Sequence, residues 1–306
     1  MTLPILIDTL VKTLQIGSMY AIMALGITLT MNVIKLPNFA HAEYITIGAY
    51  TALLVSMNFS TNPLVILVVA FVVSALVALG THYAVFRPLE KRRPSTYAML
   101  LASFAVGLIL RYILFIFADY YVLFDKRPQI PIQIAFRSNI LILSNIFFWV
   151  VPASILFVIA LSLLLNYMPL GREMRAIANN PSLAKIIGIR VESVKVLTWL
   201  LVGGLAGVAG ALWGIYSNVH PLTGWLAILS VFAAAILGGM SSFVGTILGA
   251  YVVAFSENTV MQILNLYLGI DFSFKPAVPF IIIILVLLVR PQGLTGFFSS
   301  NRELQR

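Results

Sequence analysis

His41 and Glu43 stand two residues apart beside Asn38 and Phe39, and Arg111 lies inside a long apolar run. A carboxylate next to an imidazole can take an ammonium group, and a guanidinium can take a carboxylate. Ionisable residues at membrane depth are expensive and mark a functional site by default. Each also has a plainer role. Glu43 at a helix start gains from the N-terminal dipole, or with His41 fixes irregular backbone. Arg111 binds a carboxylate, pairs with Glu43 or Glu257, or snorkels to the interface. Glu257 and His82 read as interfacial residues, the first at the outer surface, and His220 as a loop residue. No nucleophile, base and orienting acid stand together in the sequence. With no cysteine and three histidines, neither thiolate chemistry nor a metal centre is expected.

The elements that position these groups must be membrane helices. Hydrophobic residues make up 61% of the chain and charged residues 9%, with mean hydropathy +1.03. A soluble domain carries about 25% charged residues. This balance excludes a cytosolic enzyme, a disordered chain and a nucleic-acid-binding domain. Residues 1–18 have no basic n-region and no cleavage site, and they read as mature chain rather than a signal peptide.

A span needs about 20 apolar residues. Candidates are Leu10–Ile34, Ala42–Met57, Leu64–Phe86, Tyr97–Ala118, Ile146–Tyr167, Val196–Tyr216, Trp225–Phe255 and Ala277–Val289. The net charge of +9 comes mostly from three clusters: Arg87, Lys91, Arg92 and Arg93; Arg172, Arg175, Lys185, Arg190 and Lys195; and Arg290, Arg302 and Arg306. The positive-inside rule places all three, and the C-terminus, in the cytoplasm, with residues 119–145 outside. Trp199 and Trp213 then fall near the two ends of one span, as an aromatic belt.

Two long stretches are interrupted, one around Lys35 to His41 and one at Gly238 to Ser242. Each is either a hairpin or a discontinuous helix with an unwound centre at membrane depth. Such backbone is tolerated only where protein or a cavity receives it, and paired interruptions point to a transport site. Gly-Ala-Tyr recurs after each break, at 48–50 and 249–251, a weak sign of an internal repeat. Gly203 and Gly207, Gly210 and Gly214, and Gly245 and Gly249 are spaced for close helix contact, within the chain or with another one.

Residues 171–189 form a polar interlude. Arg172 to Asn179 reads as a short helix; Asn180 caps a second, Pro181 suits its first position and Gly188 its C-terminal stop. Met174, Ile177 and Ala178 share one face, and Leu183, Ile186 and Ile187 another. Apolar faces on a basic loop need a partner, either headgroups or protein.

This segment, with Leu197 to Gly210 after it, resembles the coupling loop and following helix of branched-chain amino-acid ABC transporter permeases. Gly17 to Leu29, the run Asn38-Phe39-Ala40-His41-Ala42-Glu43, Ala235 to Gly245 and Arg290 to Leu294 resemble the same family in order, and the Asn-Phe-Ala-His run points to its LivH-type subunit. Ala42 departs from the glycine common there. The resemblance implies an all-α polytopic bundle of about eight membrane segments with discontinuous helices, a single permease domain over residues 1–306. It implies a coupling loop at about 168–195, in which Gly171, Arg172, Arg175, Ala176, Asn179, Asn180, Pro181, Ala184 and Gly188 meet an ATPase. Asn38, Phe39, His41, Glu43 and Arg111 become candidates for the substrate pathway.

The implied protein is a transport subunit, not an enzyme, in the cytoplasmic membrane of a prokaryote. Its partners would be a second, LivM-type permease, two cytoplasmic ATPase subunits that hold ATP-Mg, an extracytoplasmic binding protein and the bilayer, with no nucleic acid. The chain lacks G-x-x-x-x-G-K-[ST], so nucleotide must act through another subunit. Branched-chain or other apolar amino acids are the implied cargo, with urea or short amides as the alternative. An ion-coupled secondary transporter would need more pathway carboxylates, and a membrane enzyme a catalytic polar cluster.

Overall fold

The computed structural model describes residues 3–92, 94–131, 133–138, 142–240, 242–289 and 293–294. Arg93, Ser241, Arg290, Pro291, Gln292, Arg302 and Arg306 lie outside the described residues. The chain is helical almost throughout. It runs α1 (Leu3–Leu29, prolonged by a π turn Thr30–Ile34), α2 (His41–Asn58), α3 (Pro63–Thr81, prolonged by a π turn His82–Phe86), α4 (Arg87–Lys91) and α5 (Thr96–Tyr120). A small antiparallel hairpin follows, β1 (Ile134–Arg137) and β2 (Ile142–Ser144), with Ile134 opposite Ser144. Then come α6 (Asn145–Tyr167), α7 (Pro169–Asn179), α8 (Pro181–Ile186), α9 (Val191–Tyr216), α10 (Thr223–Gly238), α11 (Phe243–Phe255, prolonged by a π turn Ser256–Val260), α12 (Met261–Leu268) and α13 (Ala277–Val289).

Among the described residues, six helical stretches are long and apolar enough to cross a membrane: Pro4–Ile34, Pro63–Lys91, Thr96–Tyr120, Asn145–Tyr167, Val191–Tyr216 and Phe243–Leu268. Thr223–Gly238 and Ala277–Val289 are shorter and apolar. The expected span Trp225–Phe255 is two helices, because Gly239 takes φ +85° after α10 and Ser242 caps α11 by accepting the Gly245 N–H at 3.1 Å.

The chain divides into two compact units, residues 1–28, 131–156 and 229–306 in one, and 29–130 and 157–228 in the other. In the second unit, α9 packs against both α2 and α3. Small residues permit the approach. A Cβ on Gly207 would overlap the Ala70 carbonyl of α3, and one on Gly210 the Ile45 carbonyl of α2. A Cβ on Gly203 would likewise meet Ser74 and Ala78. In the first unit Gly238 lies on Gly245, and Gly249 on the Ala234 carbonyl. The glycine spacing read from the sequence therefore serves contacts within the chain. Lipid supplies no hydrophobic drive between helices, so such dispersion-rich contacts carry the packing.

Three expectations need correction. Trp199 is fully buried, stacked on Phe86 at 4.8 Å and on His82 at 5.5 Å, so it belongs to the helix core and not to an interfacial belt. His82 is fully buried in that stack, not at an interface. Glu257 is 3% exposed, and it accepts hydrogen bonds from Tyr20 Oη at 2.9 Å and from the Ser230 hydroxyl. Its local sequence shows only where α11 ends. Burial comes from α1 and α10, which no reading of residues 250–260 contains.

Candidate functional site

The first break is a discontinuous helix. Lys35 closes the π turn in the left-handed region, φ +60°, with its N–H on Thr30 O. The chain then runs without helix to Ala40 and resumes as α2 at His41. Leu36, Asn38 and Ala40 are buried, so the backbone groups that this segment leaves without helical partners must be met by protein. It is met from α5 and from within. Phe39 N donates to Ser103 Oγ at 3.2 Å, and the same hydroxyl donates to Pro37 O at 3.2 Å. Ala40 N donates to Asn38 Oδ1 at 3.1 Å, and His41 N to Asn38 O at 3.3 Å. Asn38 is thus the local cap of the interruption. A Cβ on Gly107 of α5 would make only ordinary contact with Ala40, so the segment passes this helix without requiring glycine there.

Glu43 sits in the first turn of α2, fully buried. Arg111 reaches it from α5, with Nε at 2.9 Å and Nη2 at 2.7 Å from Oε1. Arg111 lies 15 residues from Thr96 and nine from Tyr120, so the pair stands in the middle part of the span. Its guanidinium also lies over the Trp225 ring, 4.0 Å from the centroid. Phe104 touches Trp225 edge-on at 6.0 Å and Phe39 at 6.2 Å. Phe39, Glu43 and Arg111 therefore belong to one cluster. His41 turns to Tyr44 instead, edge-on at 6.4 Å.

The sequence reading did not find Ser103, Trp225 or Gly224. A Cβ on Gly224 would overlap the Ala42 carbonyl, and Gly224 N donates to Thr46 Oγ1 at 3.0 Å. Glycine at 224 is what lets α10 approach the Ala42 carbonyl so closely. Only the polar serine inside the apolar α5, and the Thr-Gly-Trp at the start of α10, hinted at these roles.

The second break has its own closure in the first unit. Leu294 N donates to Leu237 O at 2.8 Å, and a Cβ on Gly293, which has φ +69°, would overlap Gly239 N. Thr28 and Thr246 hydroxyls meet at 2.8 Å.

The polar interlude folds as expected in kind. Asn180 Oδ1 accepts from Ser182 N at 3.0 Å and Leu183 N at 3.1 Å; Pro181 opens α8; Gly188 takes φ +90°. The helix before it starts earlier, at Pro169. The two apolar faces differ in fate. Met174 and Ile177 are buried, and α7 packs on the π turn Thr30–Ile34 that leads into the first break. Gly171 is pressed against the Leu165 backbone, and Arg175 donates through Nη1 to Leu165 O. Ala184 is buried, whereas Leu183, Ile186 and Ile187 are 55%, 80% and 67% exposed. Arg172, Asn179, Asn180 and Pro181 are exposed too, and Ala176 is half-buried. Two basic clusters meet near the loop: Arg87 Nε lies 3.2 Å from Glu192 and Lys195 Nζ 2.6 Å from Glu90. They stand at the same end of the second unit.

Residues 9–287 match the family model described as branched-chain amino acid transport system / permease component. The chain is 35% identical to the probable branched-chain amino acid transport permease protein LivH of Methanocaldococcus jannaschii, over 92% of this chain and 89% of that one. It is 30% identical to the permease protein BraD of a high-affinity branched-chain amino acid transport system from Pseudomonas aeruginosa, over 95% of each. It is also 30% identical to the corresponding LivH of Escherichia coli K12, over 92% of each. No solved structure matches. With a membrane-spanning helical bundle and a family match over most of its length, the chain belongs to the branched-chain amino acid permease family, the membrane-embedded subunits of ABC importers.

Proposed function

We propose that this chain imports branched-chain or other apolar amino acids across the cytoplasmic membrane, as one of two permeases in a complex. The second permease is of the LivM type, two cytoplasmic ATPase subunits bind ATP-Mg, and an extracytoplasmic protein delivers the cargo. The basic end of the second unit and the C-terminus face the cytoplasm, in keeping with the positive-inside rule.

The observation that carries this reading is the contact of α7 with the π turn that opens the first break. It joins the exposed face of α8 to the unwound segment through short, stiff elements. A docked ATPase that moves α8 would move that segment as a rigid body. Leu183, Ile186 and Ile187 are the docking face. The buried side of α7, with Gly171, Met174 and Ile177, is its root, and the exposed Arg175 ties it to Leu165 O. Asn38, Phe39 and His41 border the pathway. Glu43 and Arg111 hold its backbone in place, because an ion pair already closed at 2.7 Å leaves neither charge free for a zwitterion.

The test is recovery of the tagged chain from its native membrane in mild detergent, with ATP hydrolysis assayed on the eluate. Stoichiometric ATPase subunits and a second permease are expected, followed by ATP-dependent uptake of labelled leucine and not of labelled urea. Recovery of the chain alone, with uptake driven by a proton or sodium gradient, would overturn the reading. Uptake of urea in preference to leucine would keep the assembly and replace the cargo.

A further inference from the structure

A cavity of about 500 Å³ opens at the basic end of the second unit, among the end of the π turn Thr30–Ile34, α4, the start of α5 and the start of α9. Four cations line it, Lys35, Arg87, Lys91 and Lys195, against two carboxylates, Glu90 and Glu192. Both carboxylates are already engaged, Glu90 by Lys195 and Glu192 by Arg87. Lys35 and Lys91 enter no ion pair among the described residues, so the cavity carries two uncompensated positive charges.

Two further observations give the occupant its chemistry. Lys35 and Lys91 are both exposed, so their ammonium groups are accessible to an anion. The cavity also has an apolar part, with the half-buried Ile34 and Met99 in its lining, so it is not simply a cationic rim. The setting is interfacial. Arg87 lies 5.3 Å over the ring of Tyr83, itself 45% exposed. Along α5, Tyr97 is 80% exposed and Leu101 65%, an aromatic residue giving way to apolar ones as headgroups give way to hydrocarbon.

We propose that this cavity is a binding site for the phosphate-bearing headgroup of an anionic phospholipid. Lys35 and Lys91 meet the phosphate oxygens, and Ile34 and Met99 receive the glycerol end. Charge-assisted bonds from two ammonium groups suit a phosphodiester, and adjacent acyl chains account for an apolar part that a soluble anion has no use for. The proposal is independent of the cargo and of the ATPase contacts.

The test uses the assembled importer in nanodiscs of phosphatidylcholine with increasing phosphatidylglycerol, released for native mass spectrometry. The unaltered complex should retain phosphatidylglycerol. The variant Lys35→Gln/Lys91→Gln should weaken retention about fivefold for each lysine removed. Lys35→Arg/Lys91→Arg should keep it, and Lys12→Gln, a lysine paired with Asp8 elsewhere, should not matter. Equal retention by the double glutamine variant would overturn the proposal. So would displacement of the lipid by millimolar inorganic phosphate, which would assign the cavity to a free anion.

Discussion

Arg111 closes on Glu43 with two hydrogen bonds to a single carboxylate oxygen, at 2.9 and 2.7 Å, while the flat of its guanidinium rests on Trp225. The contact ties α5 to the first turn of α2, directly after the unwound segment. Removing one partner leaves the other buried, charged and alone. Arg111→Met or Glu43→Met should therefore destabilise the protein by about 3–5 kcal/mol. The double variant replaces the pair with apolar bulk and should recover most of that loss. Thermal unfolding of the purified complex, run as a double-mutant cycle, measures the coupling. Independent effects of the two substitutions would show that the pair does not hold the break.

The proposed coupling loop separates a root from a face. Ile186 and Leu183 are exposed on α8, whereas Arg175 is anchored on the Leu165 carbonyl. Ile186→Asp should lower ATPase recovery in a pull-down and abolish uptake, with normal membrane insertion. Arg175→Glu should act differently, by unseating α7, and should lower the amount of folded chain as well. Wild-type ATPase recovery with Ile186→Asp would remove α8 from the docking face.

Much of this arrangement was legible locally. Asn180, Pro181 and Gly188 dictate α8 because cap, first-turn proline and left-handed stop act within a few residues. The interruption at Lys35 to His41 was visible as polar residues in an apolar run. What no local signal carried was which side chain comes from elsewhere. Ser103 satisfies the backbone at Phe39 and Pro37, and Trp225 supports Arg111, across 64 and 114 residues of chain. Trp199 and Glu257 misled for the same reason. Their neighbours in sequence suggested an interface, and their neighbours in space bury them.

Glycine positions offer a sharp contrast in helix packing. Gly210 has no room for a methyl group against the Ile45 carbonyl, whereas Gly80 on α3 has nothing within 4 Å. Gly210→Ala should force α9 away from α2 and destabilise by about 1–3 kcal/mol, the usual scale of overpacking. Gly80→Ala should be neutral or stabilise by up to about 1 kcal/mol through helix propensity. Unfolding midpoints of the two variants in the same detergent decide it, and equal shifts would mean that α9 can move off α2 freely.

Glu257 presents the opposite electrostatic solution to Glu43. Its nearest hydrogen-bond partners are hydroxyls, Tyr20 and Ser230, while the nearby Lys275 donates to Asn258 Oδ1 at 2.9 Å. A buried acid held by neutral donors depends on each of them, since a lost donor is not replaced by water. Tyr20→Phe and Ser230→Ala should each destabilise by about 1–3 kcal/mol. The two losses should not add, because both donors serve one carboxyl group. Glu257→Gln keeps the size and an acceptor, and it should cost less than Glu257→Ala, which leaves both hydroxyls unpaired. Equal losses for the glutamine and alanine variants in a thermal unfolding assay would mean that the charge, rather than the hydrogen bonds, is what this part of the first unit requires.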